Sequence, residues 1–310
     1  MSRIVITEFM DAAAVDALAA SHDVVYDPGL VDDRSRLLDT VRNADAQVVR
    51  NATTVDIELL DAAPGVRVVG RLGVGLDNID LGACDERSIV VAPATGANAD
   101  AVAEYVITSV LMLLRGAYAA SSAVIAGEWP RTELVGLEAS GRTLGLLGYG
   151  DIARRVARRA QSLGMDVIAH DPLLDPGDRA WNHTTSVGLD RLFADSDAVS
   201  LHVPLTASTE GLVDADRIET MRPDAVLVNT SRGGIVDEEA LVEAIRSGSL
   251  RGAALDVFSD EPVTADTGRR FADVPNLILT PHIAGITEES SRRVGDVVAS
   301  RVLDVLEGAS

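Results

Sequence analysis

The chain contains no lysine. Its 27 basic side chains are all arginine, they stand against 48 acidic ones, and the formal charge is −21. Nucleic acid and anionic membrane surfaces are recognised through Lys/Arg patches, so this balance argues against both as partners. The same absence removes any P-loop, because that motif grips phosphate with a lysine. A lysine-free acidic composition fits GC-rich coding or a salt-adapted host. Cysteine is nearly absent as well: Cys84 stands alone, which excludes a disulfide framework and a thiolate metal cluster. Long apolar runs are missing. The most apolar stretch, Tyr105–Leu114, is bounded by Glu104 and Arg115 and falls far short of the ~20 residues that span a bilayer. The N-terminal MSRIVITEFM reads as the start of a strand and lacks the apolar core of a signal peptide. His22, His170, His183 and His202 show no metal-ligand spacing. No metal is expected, and the expected location is the cytoplasm.

What the chain does have is length and alternation. It has 310 residues, 47 % of them hydrophobic, and at roughly 100–200 residues per domain that suggests two globular domains. Ile4–Ile6, Val24–Tyr26, Gln47–Arg50, Val66–Val69 and Ile89–Val91 read as strands, with helical spacing at Ala12–Ser21, Arg34–Asn43 and Val55–Ala62 between them. A second series of strands runs through Thr143–Leu147, Asp166–Ala169, Ala198–His202, Ala225–Asn229, Gly252–Val257 and Leu277–Thr280. Such alternation predicts parallel βαβ units, hence an α/β protein with two doubly wound domains. Between the series, one helix is expected from about Asn98 to Gly127, apolar nearly all round, and therefore buried or paired with another chain. A last helix is expected over Glu288–Leu306.

The segment Thr143-Leu-Gly-Leu-Leu-Gly148-Tyr-Gly150-Asp151-Ile152-Ala153 reads as strand, glycine turn and helix. Gly148 permits the tight turn, Gly150 lets backbone approach a pyrophosphate, and Ala153 is small enough for close helix–strand contact. The helix would aim its N-terminal N–H groups at the phosphates. Asp171 follows at the end of the next strand, where a carboxylate holds the ribose 2′-hydroxyl, and no arginine comes directly after it to welcome a 2′-phosphate. NAD is favoured over NADP. Asp151 cuts against the pattern by placing negative charge beside the pyrophosphate, with Arg154 and Arg155 one turn on to offset it.

A second glycine cluster, Gly70-Arg71-Leu-Gly73-Val74-Gly75-Leu-Asp-Asn78, lacks the spaced third glycine and the distant acid. It reads either as a plain turn or as a loop of free N–H groups that binds a carboxylate. In the second half, Asn229-Thr230-Ser-Arg232-Gly-Gly, Leu255-Asp256-Val-Phe-Ser-Asp-Glu261-Pro and Thr280-Pro-His282-Ile-Ala-Gly each follow a strand. The C-terminal strand ends of a doubly wound sheet converge on one crevice, so Arg232, Glu261 and His282 can meet there. A carboxylate beside an imidazole fixes its tautomer for acid–base work, and an arginine fork holds a substrate carboxylate in two hydrogen bonds. The plainer alternatives are a surface histidine after proline and a glutamate that merely ends a strand. Spacing alone leaves both open.

With these residues on the page, the chain resembles the D-isomer-specific, NAD-dependent 2-hydroxyacid dehydrogenases, and within them looks most like the 3-phosphoglycerate dehydrogenase branch. The matching segments run nearly end to end: VVRNATT, GRLGVGLDNIDL, the GYGDIA turn, LHVPLT, NTSRGGIVDEEAL, LDVFSDEP and TPHIAG. The resemblance implies a flavodoxin-like substrate domain (1–97 and 283–310) with an NAD-binding Rossmann domain inserted at 98–282. It implies Arg232 on the substrate's carboxylate and carbonyl oxygen, His282 as general acid/base, and Glu261 as its partner. Gly148, Gly150, Asp151, Ile152, Asp171, Thr230 and Asp256 would contact the cofactor, with Asp256 and Thr230 facing the nicotinamide. The loop Gly73–Val74–Gly75 would help hold the carboxylate, and a homodimer would be built on the 98–127 helix.

In the phosphoglycerate branch arginines meet a distal anion, and the matching positions here are Arg50, Arg71 and Arg131. The expected substrate is thus a small 2-hydroxy acid with a second anionic group, such as 3-phosphoglycerate. Departures leave room for a sulfonate analogue such as sulfolactate or another small 2-hydroxy acid. Asn51 stands where that branch carries serine, Ile-Ala-Gly-Ile-Thr follows His282 in place of a Gly-Ala-Ser-Thr run, and the regulatory C-terminal extension is missing. The family also contains NAD(H)-binding corepressors, a remote alternative because this compact chain shows no partner-binding extension.

Overall fold

Short β-rich runs, each followed by a helical stretch, can cover both faces of a sheet if the strands are parallel and the helices cross over them. The computed structural model, which describes residues 1–308, shows two such sheets in two compact units. One comprises residues 1–98 with the segment from Ile286 onward, the other residues 99–285.

In the first unit β1 (Arg3–Ile6), β2 (Asp23–Tyr26), β3 (Ala46–Val49), β4 (Val68–Arg71) and β5 (Val90–Pro93) form a parallel sheet in the order β2-β1-β3-β4-β5. This is the flavodoxin-like order. Successive side chains feed opposite cores: Ile4 and Ile6 join Leu18 on one face, while Val5 joins Leu59 and Leu60 on the other. The helices α1 (Ala12–Ala19), α2 (Arg34–Thr40), α3 (Ile57–Ala62) and α4 (Leu81–Glu86) each start at an aspartate. Asp11, Asp33, Asp56 and Asp80 accept a backbone N–H of the first turn, which satisfies a donor the helix leaves unpaired. The C-terminal helix (Glu288–Glu307) returns to this unit. Thr287 and Ser290 close its first turn reciprocally, and Val298 and Val302 pack into the core of Ile4 and Val48.

In the second unit α5 (Ala99–Arg115) and α6 (Ser121–Ile125) precede β6 (Thr143–Leu147), α7 (Asp151–Ser162), β7 (Asp166–His170) and β8 (Thr185–Ser186). Then follow α8 (Leu189–Asp195), β9 (Ala198–Leu201), α9 (Ala215–Glu219), β10 (Val226–Asn229), α10 (Glu238–Ser247), β11 (Gly252–Leu255) and β12 (Leu277–Leu279). The strands run parallel in the order β12-β11-β10-β9-β6-β7-β8. That is the doubly wound dinucleotide order with one strand added, its switch point between β6 and β9.

One expectation is corrected. The apolar stretch is not a single helix to Gly127: α5 stops at Arg115, where Gly116 turns left-handed at φ 64°. The chain returns to seal that end, with Leu137 N–H donating to the Leu114 carbonyl at 2.8 Å. The apolar character of α5 itself is accounted for by burial, one of the two expected alternatives. Val102, Val106, Val110 and Leu113 are buried against α7 and the sheet. The exposed apolar side chains come later, at Tyr118, Ile125, Trp129 and Val135. Among the described residues no single helix is long and apolar enough to cross a membrane.

Gly70 on β4 lets the C-terminal helix lie against the sheet. A Cβ there would fall 2.7 Å from Val298 Cγ1 and 2.9 Å from Val302 Cγ2. Valine has little rotamer freedom to move aside. Gly70→Ala should therefore destabilise the protein by about 1–3 kcal/mol, the usual cost of overpacking. Urea unfolding measures this, and an unchanged midpoint would refute it.

Candidate functional site

The turn after β6 is shaped by contacts that exclude side chains. Gly148 sits at φ 83°, and a Cβ on it would lie 2.4 Å from the His202 carbonyl oxygen. Gly150, the N-cap of α7, has no heavy atom within 4 Å of its Cβ position. The backbone is therefore open at the start of a helix whose N–H groups attract anions, with Ile152 in the first turn. Asp171, just past β7, clamps the turn: Oδ2 accepts from Tyr149 N–H at 2.8 Å and Oδ1 from Leu173 N–H at 2.9 Å. Each carboxylate oxygen keeps a second acceptor site for a ribose hydroxyl. Thr230, just past β10, has a buried hydroxyl oxygen with no partner in the protein. An open glycine cradle, a placed carboxylate and an orphaned hydroxyl fit a dinucleotide.

The negative charge of Asp151 is answered locally. Arg155 reaches it at 3.2 Å and also binds Asp100 at 2.6 Å, while Arg159 takes the other Asp100 oxygen at 2.9 Å. The hydrogen bonds from Arg155 and Arg159 hold the Asp100 carboxyl below its ordinary pKa. Sequence reasoning missed one brace of this turn. Tyr149 is buried, stacks on Trp181 with ring centroids 5.0 Å apart, and donates to the Thr184 hydroxyl at 2.6 Å. Only the presence of an aromatic inside the glycine turn hinted at it.

Three loops beyond β10, β11 and β12 carry the polar trio. Asn229 closes the first into a turn, its amide oxygen accepting Ser231 N–H at 3.0 Å and its amide N–H donating to the Arg232 carbonyl at 2.9 Å. Gly233 then presses this loop onto the next, where a Cβ would lie 1.8 Å from the Phe258 carbonyl oxygen. Arg232 Nη1 donates to the Ser231 carbonyl at 2.6 Å. Glu261 is held from behind by Phe258 N–H, 2.9 Å from Oε1, and its Oε2 lies 2.8 Å from His282 Nδ1. A carboxylate can only accept, so Nδ1 carries the proton and Nε2 remains for exchange with a ligand. Glu261 and His282 thus touch, and the Arg232 loop packs closely on the Glu261 loop at Gly233.

Asp256 is 1 % exposed, and its carboxylate is turned to the loop of His282. Oδ1 accepts Thr280 Oγ1–H at 2.6 Å and Ile283 N–H at 2.8 Å, while Oδ2 accepts Ala284 N–H at 2.8 Å.

In the first unit, Arg50 follows β3 and Arg71 ends β4, with Val49 and Arg71 directly paired. Both arginines therefore lie at the C-terminal edge of adjacent strands. Buried Glu8 accepts the N–H groups of Arg50, Ala52 and Thr53 at 2.7, 3.0 and 2.9 Å, which fixes the loop that carries exposed Asn51. Asn78 ties this loop to the glycine loop by donating to the carbonyls of Arg50 and Thr53 at 3.0 and 2.6 Å. Burial pushes the Arg50 guanidinium below its ordinary pKa, an effect that Glu8 opposes. The Arg71 guanidinium folds over Gly73, where a Cβ would meet Nη1 at 1.6 Å. Val74 is exposed beside it, followed by Gly75. Glu8 carried no sequence signal of its own. Arg131 lies in the second unit, exposed in the turn over residues 131–134.

Residues 107–284 match the family described as D-isomer specific 2-hydroxyacid dehydrogenase, NAD binding domain. Over 303 residues the chain is 52 % identical to an (S)-sulfolactate dehydrogenase of Chromohalobacter salexigens, covering 97 % of each. It is 37 % identical over 308 residues to a D-3-phosphoglycerate dehydrogenase of Synechocystis sp., covering 99 % of this chain and 55 % of that protein. The chain thus spans about half the length of that relative. In three dimensions it matches the TT0316 protein from Thermus thermophilus with a TM-score of 0.90 at 34 % identity, over 99 % of this chain and 97 % of that one.

Two tests follow from the nucleotide turn. Asp171→Ala removes a charged acceptor and the clamp on Tyr149, so the Kd for NADH should rise about 10- to 100-fold. A fluorescence titration measures this, and an unchanged Kd would place the ribose elsewhere. The second test concerns His202, whose imidazole burial pushes down from 6.5 to about 4. Between those values the unfolded chain takes up a proton that the folded chain refuses. The neutral ring's contribution is complete above about 6.5 and is lost as the pH falls towards 4. Urea unfolding at graded pH should show wild type losing stability more steeply across that window than His202→Asn, and parallel curves would exclude His202 as the cause.

Proposed function

The chain belongs to the D-isomer-specific 2-hydroxyacid dehydrogenases, NAD-dependent oxidoreductases acting on a CH–OH group, and we propose that its substrate is a small D-series 2-hydroxy acid with a second anion on C3. The observation that carries the mechanism is the 2.8 Å contact between Glu261 and His282, with the Arg232 loop packed on the Glu261 loop. Bound NAD would supply the acceptor for the hydride that leaves C2. His282 Nε2 takes the proton of the C2 hydroxyl as the carbonyl forms, and Glu261 stabilises the resulting imidazolium. In the reverse direction the protonated His282 is the acid. The Arg232 fork holds the substrate's carboxylate and its developing carbonyl oxygen. Gly148, Gly150, Ile152, Asp171 and Thr230 would hold the cofactor, with Asp151 neutralised by Arg155. Asp256 acts from behind, by fixing the His282 loop.

The second anion rests on Arg50 and Arg71 at neighbouring strand ends. The loop of Gly73, Val74 and Gly75 supplies N–H groups suited to a carboxylate, and Asn51 and Arg131 are further candidates for substrate contact. Phosphoglycerate and sulfolactate are the two acids to compare. The sulfonate reading draws support from 52 % identity over 97 % of both chains with the sulfolactate enzyme, and the phosphate reading from the phosphoglycerate enzyme at 37 % identity. The (S) label of that acid fits a D-series site. Sulfur outranks oxygen in the naming rules, so the sulfomethyl group outranks the carboxylate and the letter changes while the arrangement at C2 does not.

The exposed apolar side chains Tyr118 and Ile125 within the 98–127 region, and Trp129 and Val135 just after it, support a homodimer built there. The charge of −21 favours neither nucleic acid nor membrane as a partner, and one buried cysteine, Cys84, suits the cytoplasm.

A substrate panel following NADH absorbance, with NAD and NADP in parallel, tests the reading. D-3-phosphoglycerate or (S)-sulfolactate should exceed D-lactate in kcat/KM by about tenfold or more, the gain from one charge-assisted hydrogen bond. Arg50→Ala and Arg71→Ala should erase that preference, and equal rates with D-lactate would sink the second-anion argument. His282→Ala should lower kcat by about 10²- to 10⁴-fold with NADH binding intact.

A further inference from the structure

His282 carries a cost in its backbone. Its φ is 54°, a left-handed conformation that is uncommon outside glycine and carries a backbone cost, although histidine enters it more readily than most residues. Its side chain is 44 % exposed, so packing does not hold it. The restraint comes from the loop: His282 N–H donates to the Asp256 carbonyl at 2.8 Å, and the Asp256 carboxylate grips Thr280, Ile283 and Ala284 around it.

That grip has a direction. The Asp256 carboxylate has no proton to give, so Thr280 must donate to it. The Thr280 hydroxyl then has only lone pairs to offer the Tyr105 hydroxyl, which lies 2.5 Å away, and Tyr105 must be the donor. The hydrogen bonds thus run one way, from α5 through Tyr105 and Thr280 to Asp256, across 175 residues of sequence. Burial, with the Asp256 charge nearby, raises the Tyr105 pKa above its ordinary value, so the phenol keeps the proton this order requires.

We propose that Tyr105 is a positioning residue for the acid–base histidine, acting through Thr280 and Asp256 on the loop that carries His282. It touches no reacting atom. Its O–H fixes the rotor of Thr280 so that the Thr280 proton points at Asp256, and Asp256 then holds the strained peptide of His282 in the orientation that aligns Nε2. The proposal rests on the reading of His282 as the proton-transfer group.

Tyr105→Phe keeps the ring and removes only the donor. It should lower kcat about five- to tenfold, the worth of one neutral hydrogen bond, while the melting temperature, the Kd for NADH and the KM of the hydroxy acid stay at wild-type values. The solvent deuterium isotope effect on kcat should rise, because proton transfer becomes rate-limiting. Thr280→Val should reproduce the loss, Thr280→Ser should retain activity, and the Tyr105→Phe/Thr280→Val double variant should be no slower than the slower single one. Wild-type kcat in Tyr105→Phe, or a loss that merely follows lower thermal stability and weaker NADH binding, overturns the proposal. An active His282→Ala variant would overturn the reading beneath it. An inactive His282→Ala beside an unaffected Tyr105→Phe overturns the positioning role alone.

Discussion

Both sheets are parallel and buried on both faces, and the rest of the molecule follows from that constraint. Strands β9, β10 and β11 are buried at every residue, so they have no side-chain position at which a polar group can meet a ligand. Polar chemistry is displaced to the loops beyond their C-terminal ends. Hydrogen bonding sets neighbouring strands about 4.8 Å apart, which brings the loops after β10, β11 and β12 side by side whatever their length. Gly233 closes the remaining gap by surrendering its side chain to the Phe258 carbonyl. The link from Arg232 to Glu261 to His282 is therefore a product of sheet geometry first and of side-chain attraction second.

The acidity of the chain looks different once its carboxylates are followed to their partners. Asp11, Asp33, Asp56, Asp80, Asp214 and Asp237 cap helices by accepting backbone N–H groups. Glu8 holds three N–H groups of the Arg50 loop, Asp171 holds two at the nucleotide turn, and Asp256 holds two on the His282 loop. A charged acceptor on a backbone donor is shorter and stronger than a neutral pair. In this protein carboxylates do much of the work of fixing loops, and the loops they fix are those at strand ends.

What was legible in the sequence was local. Period-2 and helical patterns locate the strands to within a residue or two, and the glycine turn with Asp171 stands out because its spacing is set by one strand, one turn and one helix. The break at Gly116 was hidden: the apolar pattern continues through it, and the cap that ends α5 comes from Leu137, far along the chain. The braces were hidden for the same reason. Glu8 reaches across 42 residues to Arg50 and Tyr105 across 175 to Thr280, and no periodicity spans such distances. Asp256 shows the limit from the other side. Its position beyond β11 was plain, but whether its carboxylate faces a ligand or its own loop depends on three donors that only the folded loop assembles.

A net charge of −21 sets a problem for an enzyme whose cofactor and proposed substrate are both anions, since the long-range field opposes each. The local arrangement reduces it. Asp151, in the first turn of α7, is paired with Arg155, and Glu8, whose charge acts on Arg50, accepts three backbone N–H groups. Positive potential arises in each unit at its own strand ends: in the first from the guanidinium groups of Arg50 and Arg71, in the second from that of Arg232 and from the N-terminus of α7, a dipole contribution that a formal count misses. Because every cation here is arginine, each supplies a planar fork rather than a point charge. A fork discriminates by geometry as well as by sign, so a chain without lysine can be repulsive to anions in general and selective for a carboxylate or sulfonate presented at the right angle.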